Sequence, residues 1–251
     1  MPTFPKLPSP VAPREVFVVP ATFDHARGRA LVEREIRGGI TKPSDIQQAE
    51  IDPPVLLYVP FWRVSASADG FHIGLSTIES GRTGRSFPIP TGGSNHRDAV
   101  VMICARSLFP FEAQLPARFV QVSGARPLEV GASELVVAAH AAAALAAGEV
   151  VDADVDEARA KETACQMLLR AVSPTSALYS KYEPKVHGCS FCLYPVYYAR
   201  YRYEGEARRH VGEDFFVAVS AKTGEPIAGK HPSAVRAMAT KLRKLLSFDR
   251  R

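Results

Sequence analysis

The apolar residues of this chain change period several times, and the changes predict its elements. Val16-Phe-Val-Val19 is a short unbroken apolar run, a buried strand that Pro20 ends. Asp24 stands at a helix N-cap position, and the pattern from His25 to Arg37 is helical until Gly38-Gly39 stops it. A linker with Pro43, Pro53 and Pro54 leads to Tyr58-Val-Pro-Phe-Trp-Arg-Val-Ser-Ala-Ser-Ala-Asp-Gly70, read as a strand closing on an acidic-Gly turn. Residues 71–78 are then its return strand, 85–98 are loop-like, 99–105 are apolar and buried, and 119–122 form another strand. The alanine-rich stretch 133–147 reads as an internally packed helix, with His140 as a core histidine. Asp156 caps a further helix with Ala164, Cys165, Leu168, Leu169 and Val172 on one face, ended by Pro174. Residues 193–205 make a second aromatic strand and 214–220 its return strand. Pro232 opens a last helix with the stripe Val235, Met238, Leu242, Leu245 and Leu246.

The two aromatic stretches share one design, 135 positions apart. Pro60 answers Pro195, Trp62 answers Tyr197, and Asp69-Gly70 answers Glu204-Gly205. Asp24-His-Ala-Arg27 likewise answers Asp156-Glu-Ala-Arg159, and Arg82-Thr-Gly-Arg85 answers Lys222-Thr-Gly-Glu225. Three anchors in one order predict an internal duplication. The expected fold is α+β, two related modules of antiparallel sheet plus helix (14–126 and 127–231), ending in an amphipathic helix at 232–251. Residues 1–13, with five prolines, are expected to be a disordered tail.

Composition narrows the function classes little. A hydrophobic share of 46% with 23% charged residues is that of an ordinary globular protein. The net charge of +5 permits contact with an anionic surface without requiring it. No apolar run reaches 18 residues, and the N-terminus lacks the apolar core of a signal peptide, so the expected compartment is the cytoplasm. Four cysteines fit reduced thiols better than a disulfide framework.

Three constellations are candidates for chemistry. His187-x-Cys189-x-x-Cys192 has metal-like spacing but supplies three of the four ligands that zinc needs, so zinc would require a shared site. As a redox pair, Cys189 and Cys192 should open a helix, whereas here they precede a tyrosine-rich strand. In 197–203, Tyr197, Tyr201 and Tyr203 share one face, and Tyr198, Arg200 and Arg202 the other. That second face suits stacking on bases and neutralising phosphates, or else is simply the solvated side of a sheet. In the final helix, Arg236, Lys241, Arg243 and Lys244 lie mostly off the apolar stripe, which suits an anionic membrane or a partner helix. No phosphate-binding glycine loop, nucleophile elbow or paired metal histidines are present, so no catalytic residue, cofactor or small-molecule substrate is expected.

Residues 16–36, Pro43 to Asp45, residues 55–64 and the segment from Val219 to Pro232, with Thr223, Gly224 and Gly229, together resemble a bacterial family. Its members go by the names TFIIB-type zinc ribbon or primosomal-helicase-like protein. They commonly carry an N-terminal four-cysteine ribbon and C-terminal membrane helices, both missing from this sequence. The resemblance implies a non-catalytic accessory protein, in some members linked to membrane-stress or membrane-scaffold gene neighbourhoods. The leading expectation is a cytoplasmic adaptor or scaffold that binds a protein partner or itself, with residues 233–248 as the segment that would bring it to the inner membrane surface. The alternative is an RNA- or DNA-binding module using 197–203, and a second alternative is a metal- or thiol-dependent enzyme at Cys189 and Cys192.

Overall fold

In a computed structural model, the structure describes residues 15–38, 42–79, 86–106, 130–173, 177–205 and 215–232. Nine strands form one sheet: β1 (Val16–Val18), β2 (Glu50–Ile51), β3 (Val55–Glu79), β4 (Ser86–Cys104), β5 (Val136–Val137), β6 (Glu149–Val150), β7 (Ala177–Arg202), β8 (Phe215–Ser220) and β9 (Pro226–Lys230). Its main path runs β4-β3-β7-β1-β5; β2 and β8 join β7, β9 joins β8, and β6 joins β3. Three α-helices complete the described chain: α1 (His25–Arg37), α2 (Ala142–Ala146) and α3 (Glu157–Val172). The fold is α+β.

Both predicted helix starts form as read. The Asp24 carboxylate accepts from Arg27 N, and the Asp156 carboxylate from Arg159 N, each at 2.8 Å. These bonds satisfy amides that a bare helix end leaves without a partner. Leu31, Val32 and Ile36 of α1 and Ala160, Ala164, Leu168 and Val172 of α3 enter one core with Trp62 and Tyr197. A second core on the opposite sheet face holds Leu57, Val59, Phe61, Met102, Cys192 and Tyr194. Residues adjacent along β3 and β7 therefore feed different cores, as the two-residue period of a strand requires.

The two aromatic stretches pair with each other, with Tyr58 opposite Pro195, Val59 opposite Tyr194 and Pro60 opposite Leu193. Around that centre the contacts occur in exchanged pairs. Val19 N bonds Leu193 O at 2.9 Å, and Val151 N bonds Tyr58 O at 3.0 Å. Thr22 N and Phe23 N reach Ala221 O, while Asp154 N and Val155 N reach Ala105 O. Ala221 N donates to Pro195 O, and Ala105 N to Pro60 O. Trp62 Nε1 donates to Val155 O at 2.7 Å, and Tyr197 Oη to Phe23 O at 3.0 Å. The two members of each pair lie at matching positions on either side of the Val59–Tyr194 pairing. The two halves therefore share one sheet, β1 pairing with β7 and β6 with β3, both parallel. The boundary expected at 126/127 and the anchor Arg82-Thr-Gly-Arg85 lie outside the described residues. In this pattern the residue matching Lys222 is Arg106, which directly follows Ala105 as Lys222 follows Ala221.

Several expectations fail for local reasons. Asp69-Gly70 makes no turn, because β3 continues to Glu79 and residues 71–78 belong to it. A Cβ on Gly70 would lie 2.1 Å from Lys181 O and 2.6 Å from a Tyr182 ring atom, so this glycine serves a close approach of β7. Residues 86–98, expected as a loop, pair with β3 in unbroken register. The expected helix 133–147 divides into a 3₁₀ turn, β5, a second 3₁₀ turn and the single-turn-scale α2. Val136 and Val137 are needed as the outer partner of β1, and His140 is exposed instead of buried. Lys222-Thr-Gly does turn, between β8 and β9, with Gly224 at φ +75°.

Past Ser65, three strands leave the core together as an arm made of 66–79 of β3, 86–99 of β4 and 177–186 of β7. Ala66 and Ala68 at its base are still buried, while the side chains of Thr91 to Asp98 are exposed.

Candidate functional site

Among the described residues, the arm carries the largest group of apolar side chains that folding leaves in water. Phe71, Ile73 and Leu75 alternate along β3 and so share a face, and each is 43–48% exposed. Tyr179, paired with Ile73 and 53% exposed, extends that face, its ring 5.9 Å from that of Phe71. Leu178, at the register shift beside Gly74, is 70% exposed. Opposite them on β4 stand Pro90, Gly92 and Ser94, which add little height, so the apolar row borders a shallow shelf. Nearer the core the same face turns polar. His96 bridges Asp69 at 2.5 Å and Asp98 at 3.0 Å, and these two carboxylates, Asp69 first, hold its pKa above the usual value. Glu183 is paired beside Asp69, and Lys181 lies 3.6 Å from Glu183.

Cys189 and Cys192 come apart. Both lie inside β7, where residues three apart point to opposite faces and stand about 10 Å from each other. Cys189 is paired with Val64 and packs on the helix-side core, whereas Cys192 is paired with Phe61 and is buried in the other. Neither one ion nor one disulfide fits that separation. Burial pushes the Cys192 thiol up to about 12 and the Cys189 thiol to about 11, away from the thiolate that redox chemistry or ligation uses. His187 is at a register shift, its Nε2 2.8 Å from Ser67 Oγ. Among the described residues no three His, Cys, Asp or Glu side chains gather as a metal site. Reading the pair as preceding the strand hid this separation.

The tyrosine alternation is placed as expected on one side. Tyr197, Tyr201 and Tyr203 are buried in the helix-side core, Tyr201 stacked on Phe215 at 5.6 Å. Tyr198 departs from the reading, because it is 2% exposed, packs beside Phe216 and accepts a 3.0 Å bond from Arg200 Nε. The face expected to be solvated is here the second core, with Arg200 and Arg202 exposed at its edge and the half-buried Phe216 opposite Arg200. Arg202 lines a polar cleft of about 460 Å³ with Asp45, Glu50 and Glu204, whose charges oppose a phosphate. Arg236, Lys241, Arg243 and Lys244 lie outside the described residues.

A network with no sequence signal closes the far end of the core. Tyr201 Oη is 2.8 Å from His231 Nδ1, His231 Nε2 is 3.8 Å from Glu35, and Lys42 Nζ is 3.5 Å from the same Glu35 oxygen. Burial and then the Lys42 charge push His231 down to about 4, and burial raises Tyr201, so this tyrosine is not poised as a nucleophile.

Fold and site together define an α+β protein with a closed two-faced core and one projecting apolar arm. Compared with known proteins, the chain matches no family model, no curated protein and no solved structure. The resemblance drawn from residues 16–36, 43–45, 55–64 and 219–232 accordingly rests on those motifs alone. Among the described residues no helix is long and apolar enough to cross a membrane.

Proposed function

We propose that this protein is a non-catalytic cytoplasmic adaptor or scaffold that holds a protein partner on its arm. One observation carries the reading: Phe71, Ile73, Leu75 and Tyr179 form a contiguous exposed apolar row on a three-stranded ribbon. Contiguous patches of this kind mark interaction surfaces, whereas scattered exposed apolar residues do not. Tyr179 at the row's centre, Phe71 at its core-proximal end and the charged Lys181, Glu183 and Asp69 beyond that end give the row aromatic anchors and a polar border on one side. The inner membrane surface enters this proposal only through the basic residues of 233–248.

The nucleic-acid alternative has less support, since the Tyr198 ring is buried and Arg202 sits among carboxylates. The test is proximity capture in the native host with wild type and with Phe71→Ser/Ile73→Ser/Leu75→Ser, after matching their thermal stability. The reading expects one protein enriched by wild type and depleted at least about tenfold by the triple variant. Identical captures from both would end it.

A further inference from the structure

We infer that the outer edge of β4, from Thr91 to Asp98, receives the same edge of a second copy of this chain, strand to strand and antiparallel. Among the described residues β4 pairs with β3 alone, so its other side presents peptide groups without a ladder. Pro88 and Pro90 reveal which groups these are. Both are in register with β3, opposite Thr77 and Leu75, and a proline is tolerated there where its nitrogen faces away from the neighbour. By strand alternation Gly92, Ser94, His96 and Asp98 then also direct their N–H and C=O groups outward. The two prolines block strand addition near the tip, as guarded edges do, and leave the inner stretch open.

The side chains of that stretch fit a second copy. Antiparallel pairing about a dyad at Asn95 sets Arg97 opposite Gly93, Asp98 opposite Gly92 and His96 opposite Ser94 of the second copy. Every bulky or charged residue meets a small one, and no like charges face each other. Because the dyad is perpendicular to the sheet, faces are preserved, as in an isologous interface. The two three-stranded arms become one six-stranded ribbon with both Phe71 rows on the same side. The pairing uses backbone and β4 side chains, so it stands or falls separately from any partner on the apolar row.

Sedimentation equilibrium of the full chain tests the inference. Wild type is expected to dimerise at or below about 100 µM. A Cβ at Gly93 has the His72 ring as its nearest neighbour at 3.3 Å, so position 93 accepts a side chain with a small ring shift. Gly93→Lys would face Arg97 of the second copy and should weaken the dimer about tenfold or more, while Gly93→Glu should hold it at least as tightly. A monomeric wild type at that concentration overturns the inference, and so do Lys and Glu variants that shift the equilibrium equally. Should Gly93→Lys lose its fold, Ser94→Pro replaces it. It removes an outward donor without touching the β3 ladder, and a dimer unaffected by it is equally fatal.

Discussion

His231 gathers Tyr201, Glu35 and, through Glu35, Lys42. Folding lowers its pKa from 6.5 to about 4, so between those values the unfolded chain binds the proton that the folded one refuses. Stability therefore falls as pH drops from about 6.5 through 4, and the penalty is fully developed below the folded value. The shift corresponds to at most about 3 kcal/mol. His231→Gln should remove about 2 kcal/mol of the difference between urea melts at pH 7 and pH 4.5, and an unchanged difference would refute the assignment. His96 titrates in the opposite sense, since its raised pKa gives stability below 6.5 that is lost as pH rises through the folded value. None of the His231 network was legible, because Glu35, Lys42, Tyr201 and His231 are brought together from distant positions. Gly70 was legible as a glycine that matters and misread in purpose. A turn and a close approach demand the same residue, and the approaching Lys181 carbonyl belongs to a strand more than a hundred residues away.

At the scale of elements, α1 and α3 begin alike and should respond alike. Asp24→Ala and Asp156→Ala each remove an N-cap bond, costing about 1 kcal/mol. With no shared partner the double variant should lose about 2 kcal/mol, measured by urea titration. A loss under a few tenths for either would show that its cap is not needed. These caps were readable because capping is local chemistry. The alanine stretch was misread for the converse reason: helix propensity favoured 133–147, but the open side of β1 takes Val136 and Val137 as a strand. The arm was missed because Gly92, Gly93, Ser94 and Asn95 have low strand propensity and extend only because β3 lies alongside. The Cys189–Cys192 separation needed only the knowledge that β7 begins at Ala177, well ahead of its tyrosines.

For the whole molecule, the exchanged contacts about Val59 and Tyr194 predict that the two halves unfold as one cooperative unit. Trp62, the single tryptophan, reports this directly, because its indole N–H is bonded to Val155 in the other half. Its fluorescence and the far-UV circular dichroism should follow one coincident unfolding transition in urea. Two separated transitions would mean that the halves melt independently. The matched positions Pro60/Pro195 and Trp62/Tyr197 were visible in sequence, as was the shared Asp-x-Ala-Arg motif. Their mutual pairing was not, because a repeat tells that two segments are alike and leaves open whether they touch.

The same interleaving determines when the sheet can be completed as the chain leaves the ribosome. Val16 to Val18 emerge early, yet the strand they pair with, at Phe191 to Leu193, is synthesised far later. Until then β3 has β4 and β6 as its strand partners and lacks β7, whose Cys192, Tyr194 and Val196 complete the core around Leu57, Val59 and Phe61. Such a nascent intermediate, rich in unpaired edge and dominated by long-range contacts, folds slowly and is prone to wrong association. The partner edge of β3 is thus supplied by a segment synthesised more than a hundred residues after it.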